Sequence, residues 1–192
     1  MYAPANLATY SFAHGNPGRF RDPSGRFVIK IPFTSTYFYA ELKRSGGGFI
    51  GIGFRSKAEL LRSYPKLAGL MPAMREKAER VLVRLEGQGW KPRLAEGLRT
   101  PAQQAALVAQ GVSQTLNSRH LDQNAKGAAA IDVVDKRFNW NDASKEAQLY
   151  FRSYGEAAKK ENLIWGGSWG TISPTKGYGW DPAHSELRKQ DE

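Results

Sequence analysis

The sequence predicts one domain of mixed helices and strands. Three observations carry that expectation. Runs rich in β-branched and aromatic residues at 26–33 and 34–42 read as strands, and so does the short apolar run 128–134. Apolar residues recur at three- and four-residue steps over about 71–87 and 143–162, the period of an amphipathic helix. The 192 residues and 41% hydrophobic content suffice for one ordinary core, not for a second full domain.

Taken in order, residues 1–25 are rich in Gly, Pro, Asn, Ser and Arg and read as an irregular arm. RFVIKIPF and TSTYFYAEL follow as strands. Pro32 belongs at an edge or a strand end, because it cannot donate a ladder hydrogen bond. Gly46-Gly47-Gly48 reads as a flexible joint before FIGIGF, a short strand or turn. FIGIGF is not a dinucleotide fingerprint, since no helix opens on a third glycine at the required spacing. Ser56 and Glu59 form a capping box for a short helix that ends before Pro65. Leu70, Met74, Ala78, Val81, Leu82 and Leu85 line one stripe of the 71–87 helix. Pro72 suits its first turn, and Gly87-Gln88-Gly89 its end. WKPRLAEG reads as a strand. Thr100 and Pro101 open the helix PAQQAALVAQ, which stops at Gly111. Residues 112–127 are polar loop, and AAAIDVV is a buried strand. Ala147, Tyr150, Phe151, Tyr154 and Ala158 share one side of the 143–162 helix. The remainder, to Leu187, is rich in Gly and Trp with short strands.

Composition excludes several chemistries. There is no cysteine, so disulfides, thiolate-held zinc, iron–sulfur clusters and cysteine nucleophiles are ruled out. Any metal must be held by His and carboxylates. No apolar run approaches the ~18 residues of a membrane span. The start, MYAPANLATYSFAHG, lacks the charged and apolar regions of a Sec signal. Net charge is +10, and all of the excess lies in the first 100 residues, since 101–192 hold 11 basic and 11 acidic groups. A basic surface attracts polyanions such as an anionic envelope. Its basic residues are scattered and no zinc-finger, P-loop or RNA-recognition signature accompanies them, so no specific nucleic-acid partner is expected.

The chemistry centres on few residues. Of three histidines, His14 lies in the arm, His120 follows a polar loop, and His184 follows Asp181 by three. Asp132 sits inside an apolar strand, where an unpaired carboxylate is costly to bury. Two His and one carboxylate are a frequent ligand set for catalytic zinc, with a separate carboxylate free to act as general base. The blander readings are surface histidines and an Asp paired with an Arg. The spacings match no short metal motif such as H-E-x-x-H.

The order GLRTPAQQAALVAQG, SRH, AAAIDVV, IWGGSWG, WDPAH resembles the zinc-dependent peptidoglycan peptidases. These include D-alanyl-D-alanine carboxypeptidases, L-alanyl-D-glutamate endopeptidases and many phage endolysins. The resemblance covers about residues 56–188. It implies an α+β fold whose central antiparallel sheet carries the site, with the 71–87 and 143–162 helices packed behind. It implies Zn2+ as cofactor, held by His120, Asp132 and His184. Asp181 corresponds to the catalytic carboxylate and Arg99 to an oxyanion-stabilising arginine. Ser118 and Gln104 correspond to substrate-site residues, and Trp165 and Trp169 to an aromatic pair, read as core packing. Two positions depart from the family pattern. Eleven residues rather than about six separate His120 from Asp132, which reads as a loop insertion and leaves Asp122 as an alternative ligand. Ser168 stands where the family has Asp.

The resemblance therefore implies a zinc metallopeptidase acting on peptidoglycan stem peptides. An L-alanyl-D-glutamate endopeptidase serving as phage endolysin is the first expectation, with a D-alanyl-D-alanine carboxypeptidase second. It would be a monomer made in the host cytoplasm, released by a holin and acting on the cell wall. The alternative from another class is a non-catalytic wall-binding or virion protein of the same fold. Residues 1–55 lie outside the resemblance as a basic, aromatic N-terminal extension, and 56–192 form the peptidase domain. The extension is either wall- or membrane-binding, extra strands on the catalytic sheet, or a structural decoration.

Overall fold

The computed structural model describes residues 26–30, 36–42 and 49–192, with side chains from Ser56 onward. The expected arm over 1–25 and the glycine joint at 46–48 lie outside the described residues. Strands β1 (Arg26–Lys30), β2 (Thr36–Leu42) and β3 (Phe49–Ser56) form one antiparallel sheet in that order. It is separate from the second sheet, so these strands do not extend the sheet that carries the site.

Ser56 ends β3 and caps helix α1 (Lys57–Ser63). Its hydroxyl accepts from the Glu59 amide, and the Glu59 carboxylate accepts from the Ser56 amide, which is the capping box that the sequence predicts. Helix α2 (Pro72–Gly87) buries Met74, Ala78, Val81, Leu82 and Leu85 of the predicted stripe, and Leu70 is buried just before its start. Val83 and Glu79 are buried as well, on a helix that packs against β1, β2 and a second long helix. The chain leaves α2 through Gly89 at φ +82°, a left-handed conformation that glycine takes without steric penalty.

The second sheet is built from β4 (Pro92–Glu96), β5 (Ala130–Asp135), β6 (Ile164–Trp165) and β7 (His184–Glu186). Its order is β4-β5-β7-β6, and every pairing is antiparallel. β5 is buried along its whole length. Ile131 and Val133 enter the core. Asp132, between them, points to the opposite face, as alternation along a strand requires. Helix α3 (Pro101–Ala109) starts on a Thr100–Gln103 capping box. Helix α4 (Lys145–Lys160) starts on Ser144 and buries Ala147, Tyr150, Phe151, Tyr154 and Ala158. The Tyr154 hydroxyl lies 2.5 Å from Ser185 Oγ, tying α4 to β7. The architecture is α+β, with α2 and α4 packed against the second sheet. No helix among the described residues is long and apolar enough to cross a membrane.

Candidate metal centre

Register brings the site together. Asp132 on β5 is the cross-strand partner of His184 on β7. On its other side, a register shift between Leu94 and Glu96 sets Glu96 opposite Asp132. Such bulges re-aim side chains beside functional sites. His120 arrives from the loop before β5. Its carbonyl accepts from the Arg99 amide at 2.8 Å, and the neighbouring Arg119 carbonyl accepts from Ala129 at 3.0 Å. The Ser118 hydroxyl accepts from the His120 amide at 3.2 Å and shapes that turn.

One ligand atom from each of His120, Asp132 and His184 falls within 4.8 Å of the others, and all three residues are buried. His184 Nδ1 is 3.0 Å from Asp132 Oδ1 and 3.3 Å from His120 Nε2. The outer ring atoms are also engaged. His120 Nδ1 lies 2.8 Å from the Gly97 carbonyl, which only accepts. The proton is therefore on Nδ1, and Nε2 offers its lone pair inward. His184 Nε2 faces Glu186 Oε2 at 3.3 Å and leaves Nδ1 toward Asp132. Two imidazole lone pairs and a carboxylate oxygen converging in this way suit a zinc-like cation with one position left for substrate or water.

The electrostatics agree with that fit. Burial disfavours charge on His184, but hydrogen bonds to Asp132 and Glu186 outweigh it and lift its pKa to about 10. Burial pushes the Asp132 carboxyl upward, and His120 with His184 overcomes this and holds it well below the usual carboxylate range. A cation takes the deprotonated ring nitrogen, so uptake of zinc is expected to release acid.

The other predicted residues are placed as follows. Asp181 lines the same cleft, half-buried. Burial raises its pKa, and the Asp132 charge adds to that, against the opposing pull of His184, His120 and Arg99. Arg99 Nη2 donates to Asp132 Oδ2 at 2.9 Å, and Nη1 donates to Gln104 Oε1 at 3.3 Å. Gln104 is only 1% exposed, and its amide donates to Ser113 Oγ and the Thr115 carbonyl. It braces Arg99 and the 113–115 loop from behind and offers no group to a substrate. Asp122 is exposed and outside the trio. Its Oδ1 accepts from the Gly127 amide at 2.7 Å and closes the inserted turn. Ser168 Oγ donates to the Trp165 carbonyl at 2.6 Å.

Trp165 is buried, as expected for core packing, and its indole donates to the Pro182 carbonyl. Trp169 differs from the expectation. It is half-buried, lines the cleft, and sits with its ring centroid 5.1 Å from that of His184. The short helix over Gly166–Ser168 turns the chain between the two tryptophans, so they part company.

Sequence reasoning missed Glu186, Trp140 and Trp180, all of which line the cleft. Glu186 was detectable as a carboxylate two residues after His184 on one strand face. Glu186→Gln is expected to weaken zinc affinity by about ten-fold, as second-layer partners of a metal histidine do. Chelator competition reads this directly, and an unchanged affinity would remove Glu186 from the site.

A buried trio of His120 from a loop and Asp132 and His184 from paired antiparallel strands, with a second carboxylate, Asp181, in the same open cleft, marks a candidate hydrolytic metal centre. Among solved structures the chain is similar to the Serratia marcescens L-Ala D-Glu endopeptidase ChiX, at 32% identity over 68% of this chain and 89% of that one, with TM-score 0.43. By that identity along most of the other chain, rather than by the superposition, the protein belongs to the same family as this endopeptidase. No family model matches the sequence, and no curated protein does either.

Proposed function

We propose that the protein is a zinc metallopeptidase that hydrolyses peptidoglycan stem peptides at the L-alanyl-D-glutamate bond. The observation that carries this reading is the convergence of His120, Asp132 and His184 on the floor of the cleft. The kinship with an L-Ala D-Glu endopeptidase supports the choice of bond. Resemblance to phage endolysins supports a lytic role at the cell wall after holin-dependent release. The +10 net charge favours approach to an anionic envelope.

His120, Asp132 and His184 would hold the metal. When bound, zinc supplies Lewis acidity toward the scissile carbonyl and the attacking water. Asp181 accepts the proton of that water and passes it to the leaving amine. Its raised pKa suits a group that must both take and return a proton. Arg99 anchors Asp132 through its Nη2. A permanently charged guanidinium on the cleft wall also suits a developing oxyanion. The open cleft offers about 1090 Å³, room enough for a peptide.

The test is elemental analysis combined with digestion of purified muropeptides. The expected result is about one zinc per chain, lost in His120→Ala and in Asp132→Ala. Digestion should expose a new D-glutamyl amine and release no D-alanine. Release of D-alanine instead would select the carboxypeptidase reading. A folded protein that takes up no added zinc would end the peptidase reading altogether.

A further inference from the structure

The cleft carries aromatic surface that the peptide chemistry does not use. Trp180 is 63% exposed and Trp140 55% exposed, and both line the cleft that holds the metal trio. Covering the apolar face of an exposed indole is favourable, and two of them in one cleft mark a recognition surface. Trp180 is not loose. The Trp180 amide donates to the Trp169 carbonyl, and its ring lies 5.4 Å from that of Trp169. Gly170 makes room for it: a Cβ there would fall 2.7 Å from Trp180 Cδ1. The loop bearing Trp140 is bound to the loop bearing Trp180 through Asp142. One Asp142 oxygen accepts from Lys176 at 2.7 Å and from the Tyr178 hydroxyl at 3.1 Å. The two indoles thus stand on two strapped loops that line one cleft.

Distance points to what Trp180 meets. From the His184 ring to Trp169 is 5.1 Å, and from Trp169 to Trp180 is 5.4 Å. Each leg is one to two residues of extended chain, at about 3.5 Å per residue. In a stem peptide cut after its first residue, L-alanine, the amino side of that residue is joined through a lactyl group to a sugar. With the amino side of the substrate running toward Trp180, a sugar ring is what it presents at this reach. Its axial C–H face is apolar and its rim is polar, which matches an indole beside polar cleft residues such as Asn117 and Gln114.

We propose that Trp140 and Trp180 form a subsite for the N-acetylated sugar that carries the stem peptide. The enzyme would then prefer glycan-linked peptide over free peptide. This rests on the stem-peptide reading given above.

The experiment compares kcat/KM for a disaccharide-linked stem peptide and for the same peptide without sugar. The zinc-loaded protein is used, as wild type and as Trp180→Ala, Trp140→Ala and Trp180→Phe. Wild type is expected to prefer the sugar-linked substrate about ten-fold, the scale of one or two aromatic contacts. The preference should fall toward one in both alanine variants and recover in part in Trp180→Phe, which keeps a stacking face. Equal losses on both substrates, or an unchanged preference, would overturn the subsite. If wild type cuts neither substrate, the stem-peptide reading fails on its own. Intrinsic fluorescence with the N-acetylated disaccharide alone then decides the subsite. Quenching lost in Trp180→Ala keeps it, and no quenching in wild type removes it.

Discussion

Asp181→Asn is expected to lower kcat by about 10²–10⁴-fold, the usual contribution of a positioned acid–base group. Zinc content should stay at the wild-type value, because Asp181 lies outside the His120, Asp132 and His184 trio. That separation makes the experiment informative. A ligand variant loses metal and activity together, whereas Asp181→Asn should lose activity alone. The pH profile gives a second readout. Catalysis needs Asp181 ionised, so activity falls as pH drops through its pKa. Burial raises that pKa above the ordinary aspartate value, and the pull of His184, His120 and Arg99 opposes this only in part. This carboxylate therefore contributes to the acid limb of kcat/KM in wild type, and its contribution should vanish from the residual activity of zinc-loaded Asp181→Asn. A variant that keeps full activity, or that loses its zinc, would take Asp181 out of the general-base role.

Much of the fold was legible, because the local signals and the packing agree. The Ser56–Glu59 box, the Thr100–Pro101 start and the stripes on α2 and α4 all appear where their residues place them. Pattern could not show that Val83 and Glu79 of α2 are buried, since that depends on what packs against the helix. The trio was legible in a different way. His184 and Asp132 are 52 residues apart but face each other across one strand pair, a relation that only register creates. Sequence spacing alone left them as an open possibility, and the ordered motifs joined them. Gln104 shows the limit of transferring motifs. Its position matched a substrate-site residue, yet its amide is consumed by Ser113 and Thr115. Trp169 was misread for a related reason: two tryptophans four residues apart look alike until a short helical turn sends one into the core and the other into the cleft.

The same turn sets the second large effect, that of Gly166→Ala. Gly166 has no unusual backbone conformation that demands glycine, and it sits in a short helical turn rather than a long helix, so an added methyl gains little by propensity. The space around it decides the outcome. A Cβ there would meet the Asp181 carbonyl oxygen at 2.5 Å and the His184 Cβ at 3.1 Å. The first of these contacts is with backbone, which cannot swing aside as a side-chain tip can. The Asp181 carbonyl also accepts from the His184 amide, and the adjoining Pro182 carbonyl accepts from the Trp165 indole. Relief must therefore come by displacing the turn that carries both the proposed base and a metal ligand. Overpacking of this kind costs about 1–3 kcal/mol. For a chain of this size that corresponds to a fall in Tm of about 2–4 °C per kcal/mol. The effect on catalysis should be larger than the effect on folding, because a shift of about 1 Å in reacting groups can lower the rate about 100-fold. We expect Gly166→Ala to fold, to bind zinc more weakly, and to lose about two orders of magnitude in kcat/KM. Thermal denaturation, chelator competition and muropeptide kinetics on one preparation measure the three together. Wild-type zinc affinity and activity in this variant would show that the Asp181–His184 turn yields freely, and that the glycine serves packing alone.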